Sequence, residues 1–126
     1  MVHIVTDTTS CINPDIARSF DIAVIPQIIT FGEQSYLEGV ELDFKTFMAK
    51  LKGSKELPKT AAPPVVEFVR VFEKLVASRE PILCIHPSTE VSGTVRSALT
   101  AAAEFPGADI HVIDTRLVAS PLGILV

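Results

Sequence analysis

Short β-branched runs alternating with helix-periodic stretches restrict the fold of this chain more than any other feature. Val2 to Thr6 is an apolar run that stops abruptly at Asp7-Thr8-Thr9-Ser10, as a buried strand does when it enters a polar loop. Asn13 then offers a helix cap, Pro14 suits the first helical position, and Ile16, Ala17 and Phe20 share one face. Ile22 to Phe31 is too rich in β-branched residues for a helix, and Pro26 within it marks an edge position, a bulge or a break. Gly32 to Leu42 reads as a loop or small hairpin outside the core. Asp43 caps a helix that carries Phe44, Phe47, Met48 and Leu51 on one side and stops at Gly53.

Lys52 to Pro64 is polar and bounded by prolines, which predicts an exposed loop. Beyond it, Val65, Phe68, Val69, Phe72, Leu75 and Val76 mark an amphipathic helix, and Pro81 to His86 a strand. After the polar stretch Pro87 to Thr94, a further helix is lined by Val95, Ala98, Leu99 and Ala102 and ended by Pro106-Gly107. Asp109 to Ile113 gives a fourth strand, followed by Asp114-Thr115. Strands alternating with helices of about three turns imply βαβ units, so the expected fold class is α/β, a three-layer α/β/α arrangement with a mostly parallel sheet. No linker or repeat divides residues 1–126, which read as one domain. The closing stretch Ser120 to Val126 is apolar and uncapped, as in a chain that continues.

With 126 residues, 48% of them hydrophobic, the chain can bury a substantial core. Its net charge of -4 comes from 15 acidic and 11 basic residues scattered along the sequence, so no basic stripe exists to neutralise a nucleic-acid backbone. No apolar run approaches the roughly 20 residues of a membrane span, and the start has no signal-peptide pattern. The expected location is cytoplasmic. Cys11 and Cys84 are not spaced as a metal pair and are expected to be reduced, ordinary core or near-core residues.

Parallel sheets bind ligands at the carboxyl ends of their strands. Asp7 to Ser10, His86 to Thr89 with Ser92-Gly93-Thr94, and Asp114-Thr115 are therefore expected to converge on one hydroxyl-rich crevice. It has no clustered base, arginine fork or metal-ligand set, and no glycine-rich nucleotide motif. Ser92-Gly93-Thr94 opens a helix, where free backbone N–H groups favour an anion. Equally, Ser88, Thr89 and Ser92 can serve only as helix caps, with Gly93 allowing close packing. Asp7 suits a general base or metal ligand, or a loop anchor that accepts backbone hydrogen bonds. His86 reads as a packed or hydrogen-bonded histidine, and His3 and His111 still less as ligands. Around Ser92, Glu90 and Thr94 occupy the glycine positions of a nucleophile elbow, which argues against acyl transfer.

Together these stretches resemble the amino-terminal domain of the DegV-like family. The resemblance lies in Ile4-Val5-Thr6-Asp7-Thr8-Thr9-Ser10, in Val24-Ile25-Pro26 with Phe31-Gly32 and Glu38-Gly39-Val40, and in Leu57-Pro58-Lys59-Thr60-Ala61-Ala62-Pro63. Val91-Ser92-Gly93-Thr94 with Ser97-Ala98, Val112-Ile113-Asp114-Thr115 and Gly123 complete it. Such proteins bind one long-chain fatty acid such as palmitate, holding its carboxylate with hydroxyls and burying the acyl chain between two domains. The resemblance implies carboxylate contact by Thr60 and Ser92, with Asp7, Thr8, Thr9, Ala61, Gly93 and Thr94 supporting the site.

It further implies a non-enzymatic carrier without a cofactor, which presents the acid to a separate fatty-acid kinase for phospholipid synthesis. Burying about 14 methylenes at roughly 0.8 kcal/mol each supplies about 11 kcal/mol before association costs, so the tail gives affinity and the head group needs only orientation. Two departures stand out. Ala61 and Ala62 replace the family's Ser and Gln beside Thr60, and the family's carboxyl-terminal domain is expected to lie outside residues 1–126. Two other functions fit the same residues: a small-molecule enzyme or phosphate-binding domain using the same crevice, and a module that self-associates through an open apolar face.

Overall fold

The structure, a computed structural model, describes residues 1–126. In chain order the elements are β1 (His3–Asp7), a 3-10 turn (Thr8–Ser10), α1 (Pro14–Ser19), β2 (Ala23–Ile25), β3 (Ile28–Phe31), β4 (Gln34–Leu37) and α2 (Phe44–Gly53). They continue with β5 (Lys59–Ala61), α3 (Val65–Leu75), β6 (Ile82–His86), α4 (Thr94–Ala102), β7 (Ile110–Asp114) and α5 (Ala119–Leu125). Four strands form a parallel sheet in the order β2-β1-β6-β7, and three form a small antiparallel sheet, β4-β3-β5. The α/β class and the mostly parallel sheet follow the expectation. No helix is long and apolar enough to cross a membrane.

The run Ile22 to Phe31 is divided between the two sheets. Pro26 lacks a backbone N–H, and the ladder of β2 on β1 ends just before it with Asp7 opposite Ile25. Two residues later Ile28 begins a new ladder, opposite Leu37 on one side and Ala61 on the other. The hairpin between β3 and β4 turns at Gly32, whose φ of 59° suits a residue without a Cβ.

Contrary to expectation, the stretch Lys52 to Pro64 is not wholly loop, because Lys59–Ala61 pairs with β3 as an edge strand. All three of its residues are exposed, so no apolar alternation marks it in the sequence. The apolar end of the chain likewise forms α5, with Pro121 tolerated in its first turn.

One face of the parallel sheet carries the main core. Val5, Ile25, Ile82 and Cys84 pack beneath Phe68 and Phe72 of α3 and Ala98 and Ala101 of α4. On α4 the buried face is turned from the expected one, since Ala101 is fully buried whereas Leu99 is 52% exposed. Alanines fit there because the phenyl rings of α3 already fill the space. Burial pushes the Cys84 thiol up to about 12, so it is an inert core residue, while Cys11 lies exposed rather than in the core.

On the other side of β1, Ile4 faces a cavity shared with Ile16 of α1, Phe20 just after that helix and Gly123 of α5. Leu122 anchors α5 in full burial. The next residue, Gly123, lies so close to the β1–α1 turn that a Cβ there would sit 2.3 Å from the Ser10 carbonyl oxygen. That contact is against backbone and cannot be relieved by a rotamer change. Gly123→Ala is therefore expected to lower stability by about 1 to 3 kcal/mol, read in chemical denaturation. Gly53→Ala, with no heavy atom within 4 Å of the new methyl, serves as a control expected to be neutral or stabilising.

Candidate functional site

Because β1, β6 and β7 run parallel, their polar ends meet at one edge of the sheet. Val5 pairs with Cys84, so two residues further on Asp7 stands opposite His86, and both side chains turn toward the α3 side of the sheet. Asp7 and His86 are each fully buried. A carboxylate only accepts, so His86 Nδ1 carries the hydrogen it shares with Asp7 Oδ2 at 2.7 Å. The imidazole stands edge-on to Phe68 with ring centres 5.2 Å apart, and its Nε2 is buried without a partner.

The second carboxylate oxygen, Asp7 Oδ1, accepts from the Thr9 backbone N–H at 3.0 Å, from the Thr9 hydroxyl and from Gln27 Nε2 at 3.0 Å. Burial alone would push the Asp7 carboxyl up, but the hydrogen bonds from His86, Thr9 and Gln27 more than offset this and hold it below its usual 3.8. With its oxygens occupied by these donors, Asp7 has the loop-anchoring role and not the surroundings of a free base or metal ligand. No group of three or more His, Cys, Asp or Glu side chains gathers that could hold a metal ion.

In front of this buried cluster lies a cavity of about 270 Å³. Thr9 lines it from the β1–α1 turn, Gln27 from the joint between β2 and β3, and Thr60, Ala61 and Ala62 from β5 and the residue after it. Pro87, Val91, Ser92 and Gly93 line it from the loop before α4, and Val118 from the approach to α5. A Cβ added at Gly93 would lie 3.6 Å from the Ala62 Cβ, an ordinary contact, so the two segments approach closely without requiring glycine there. The residues Thr60 and Ser92, far apart in sequence, thus share one cavity.

Ser92 stands just before Gly93, the N-cap of α4, and its side chain closes a local turn there. Its Oγ accepts the Thr94 backbone N–H at 3.3 Å, and Ser88 Oγ accepts that of Glu90 at 3.2 Å. Thr94 is fully buried behind the cavity wall, joined to Ser92 at 2.7 Å and to Gln27 Nε2 at 3.1 Å.

Thr8 faces elsewhere. Its hydroxyl donates to Glu38 and accepts the Gln27 backbone N–H at 3.0 Å, and it lines a second cleft of about 540 Å³ with Ile12, Ile29, Leu42, Phe44 and Phe47. Asp114 lies at the same sheet edge but outside the cavity lining, accepting from the Thr89 hydroxyl at 2.6 Å and the Arg116 N–H at 2.9 Å. Those contacts hold its carboxyl below the usual value.

Sequence reasoning missed Gln27. A glutamine inside an apolar run, directly after a strand-breaking proline, is a signal that could have found it, because an amide is buried there only if it is paired.

Removing the Asp7 carboxylate strands four donors on three residues, His86, Thr9 and Gln27. Asp7→Ala is expected to cost at least about 3 kcal/mol in urea denaturation, at about 1 kcal/mol or more for each residue left with an unpaired donor. Asp114→Ala, at a solvated position, is expected to cost much less.

Comparison with known proteins agrees with this architecture. The family model described as "Uncharacterised protein, DegV family" matches residues 1–126. A DegV domain-containing protein of Clostridium perfringens is 35% identical over 125 residues, covering 99% of this chain and 45% of its own length. Among solved structures, DegV of Bacillus subtilis, described as a fatty acid binding protein, superposes with a TM-score of 0.91 at 33% identity, covering 98% of this chain and 44% of that one. A stearic-acid-binding protein from Eubacterium ventriosum does so with a TM-score of 0.92 at 27% identity, covering 99% of this chain and 45% of that one. The chain spans slightly less than half the length of these relatives. A family match across every residue, together with the shared fold, shows that this chain belongs to the DegV family.

Proposed function

We propose that this chain binds a long-chain fatty acid such as palmitate as a carrier, with the carboxylate held between the hydroxyls of Thr60 and Ser92. In this reading Thr9, Gly93 and Ala61 shape the head-group cavity, and Asp7 and Thr94 support it from behind. The acyl chain leaves the cavity past the β1–α1 turn and lies in the cleft lined by Ile12, Ile29, Leu42, Phe44 and Phe47. The observation that carries the reading is that the two spaces are neighbours: adjacent residues Thr9 and Thr8 line the polar cavity and the largely apolar cleft respectively. Ile29, in the cleft, is moreover the cross-strand neighbour of Thr60, in the cavity. A head group and a tail require that adjacency.

Fatty acid binding by the family's solved members supports the same reading. Phe44, 79% exposed at the cleft, is the kind of surface phenyl that a ligand or a further wall would cover. A second domain is proposed to furnish that wall, and a separate fatty-acid kinase to receive the presented carboxylate for phospholipid synthesis. Hydroxyl donors suit such a hand-over, because they orient the carboxylate without the strong ion pair that would hinder a kinase. The enzyme alternative has less support, since the only buried acid and imidazole are engaged with each other and lie outside the cavity lining.

Lipid extraction of protein purified from a bacterial host, followed by mass spectrometry, is expected to recover a long-chain fatty acid. Palmitate at about 100 times its Kd is expected to add about 2.7 kcal/mol of stability, with a corresponding rise in Tm. Thr60→Ala and Ser92→Ala should each shrink that rise. If neither this chain nor the chain extended by a second domain carries or binds a fatty acid, the proposal is wrong.

A further inference from the structure

Between Asp7 and Ser92, each polar atom has its role as donor or acceptor dictated by the one before it, with hydrogens assigned from the heavy-atom network. Asp7 Oδ1 accepts only, so Gln27 must turn its NH2 group, not its carbonyl, toward it at 3.0 Å. The same nitrogen lies 3.1 Å from Thr94 Oγ1. An amide nitrogen only donates, so the Thr94 oxygen accepts there and its own hydrogen must point elsewhere. Ser92 Oγ is 2.7 Å away and is the partner in reach. Ser92 Oγ then accepts twice, from the Thr94 hydroxyl and from the Thr94 backbone N–H at 3.3 Å. Both of its lone pairs are used, and its remaining hydrogen is left for the cavity that it lines.

We propose that Gln27 is a positioning residue that sets ligand specificity: it passes the acceptor character of Asp7 through Thr94, so that Ser92 presents a hydrogen-bond donor to the ligand. A carboxylate, which has only acceptors, suits this polarity. A fatty alcohol or primary amide brings hydrogens of its own, and Ser92, with both lone pairs occupied, does not accept them. The inference rests on the fatty-acid reading above and adds what that reading lacks, a reason why two hydroxyls that can each donate or accept would favour the ionised acid. Gln27 is well placed for this, being 6% exposed, in contact with the cavity, and located on the joint between the two sheets.

Gln27→Glu replaces the NH2 by an oxygen of nearly the same size. Beside the Asp7 carboxylate, a protonated Glu side chain donates its single hydrogen to Asp7 and turns a lone pair to Thr94. Thr94 then donates to that lone pair and accepts from Ser92, whose Oγ keeps the Thr94 backbone N–H on one lone pair and turns the other to the cavity. The relay is reversed with little change in shape.

The test measures binding of decanoate and of 1-decanol by isothermal calorimetry to the wild-type chain and to Gln27→Glu, Thr94→Val and Thr94→Ser, with circular dichroism to confirm folding. Wild type is expected to favour decanoate by at least about tenfold, the scale of one charge-assisted hydrogen bond. In Gln27→Glu that preference should vanish or invert through loss of decanoate affinity, with decanol binding preserved. Thr94→Val should lose the preference and Thr94→Ser, which keeps the hydroxyl, should retain it, a pattern that also decides the matter if Gln27→Glu does not fold. Equal preference for decanoate in wild type and Thr94→Val overturns the relay alone. Binding of neither ligand by wild type overturns the fatty-acid reading for this chain, and the relay falls with it.

Discussion

A buried carboxylate at the end of the first strand organises the business edge of this protein. An ion taken out of water is costly unless each of its oxygens is met by donors, and Asp7 satisfies that demand from three directions. His86 comes from the neighbouring strand, Thr9 from the turn that Asp7 itself caps, and Gln27 from the joint where the chain leaves the parallel sheet for the antiparallel one. The requirement to pair one charge thereby fixes the relative positions of β1, β6 and the segment leading to β3. Thr94, reached through Gln27, adds the start of α4 to the same arrangement. The cavity is the space left between elements whose positions the carboxylate has already set.

Apolar and polar work are divided between the two sides of the turn after β1. Thr9 faces the hydroxyl-lined cavity, whereas Thr8 faces a cleft with phenyl and aliphatic walls. The small antiparallel sheet makes this division possible, because β3 carries Ile29 into the cleft and holds Thr60 on the adjacent strand β5. A tail seated among Ile29, Leu42 and Phe47 would gain its free energy from surface removed from water, and the head group would contribute direction more than strength. Neutral hydroxyls, Ser92 before a helix amino terminus and Thr60 on an edge strand, fit that role better than the strong ion pair of a lysine or arginine would.

Much of the fold was legible in the sequence because burial leaves a period. The helices with Phe68 and Phe72, and with Val95 and Ala98, repeat at helical spacing, and the strands ending in Asp7, His86 and Asp114 are compact β-branched runs. What escaped notice has no such period. Lys59–Ala61 is a polar edge strand, recognisable only through its partner β3, and Leu99 lies outside the core because the space opposite α4 is filled by rings from α3, a tertiary fact. Asp7 and His86 were each weighed alone; their pairing depends on a parallel register that sets residues 79 positions apart side by side. Thr60 and Ser92 are singled out by the resemblance of their motifs to those of the family, and the structure brings both to one cavity. The connection behind them through Gln27 was not, since one amide among apolar neighbours carries no spacing to read.

Inside the fold Asp7 is held ionised by its donors. A group whose folded pKa is depressed contributes stability that is present above the unfolded value of about 3.9 and is lost as the pH falls through the folded value. Observing the Asp7 side-chain carboxyl carbon by nuclear magnetic resonance through an acid titration of the folded chain tests this directly. That carbon is expected to remain that of a carboxylate at pH 3.8 and to titrate only below it. Titration above 3.8 in the folded protein would mean that burial outweighs the hydrogen bonds, that Asp7 can itself donate, and that the directed network built upon it does not exist.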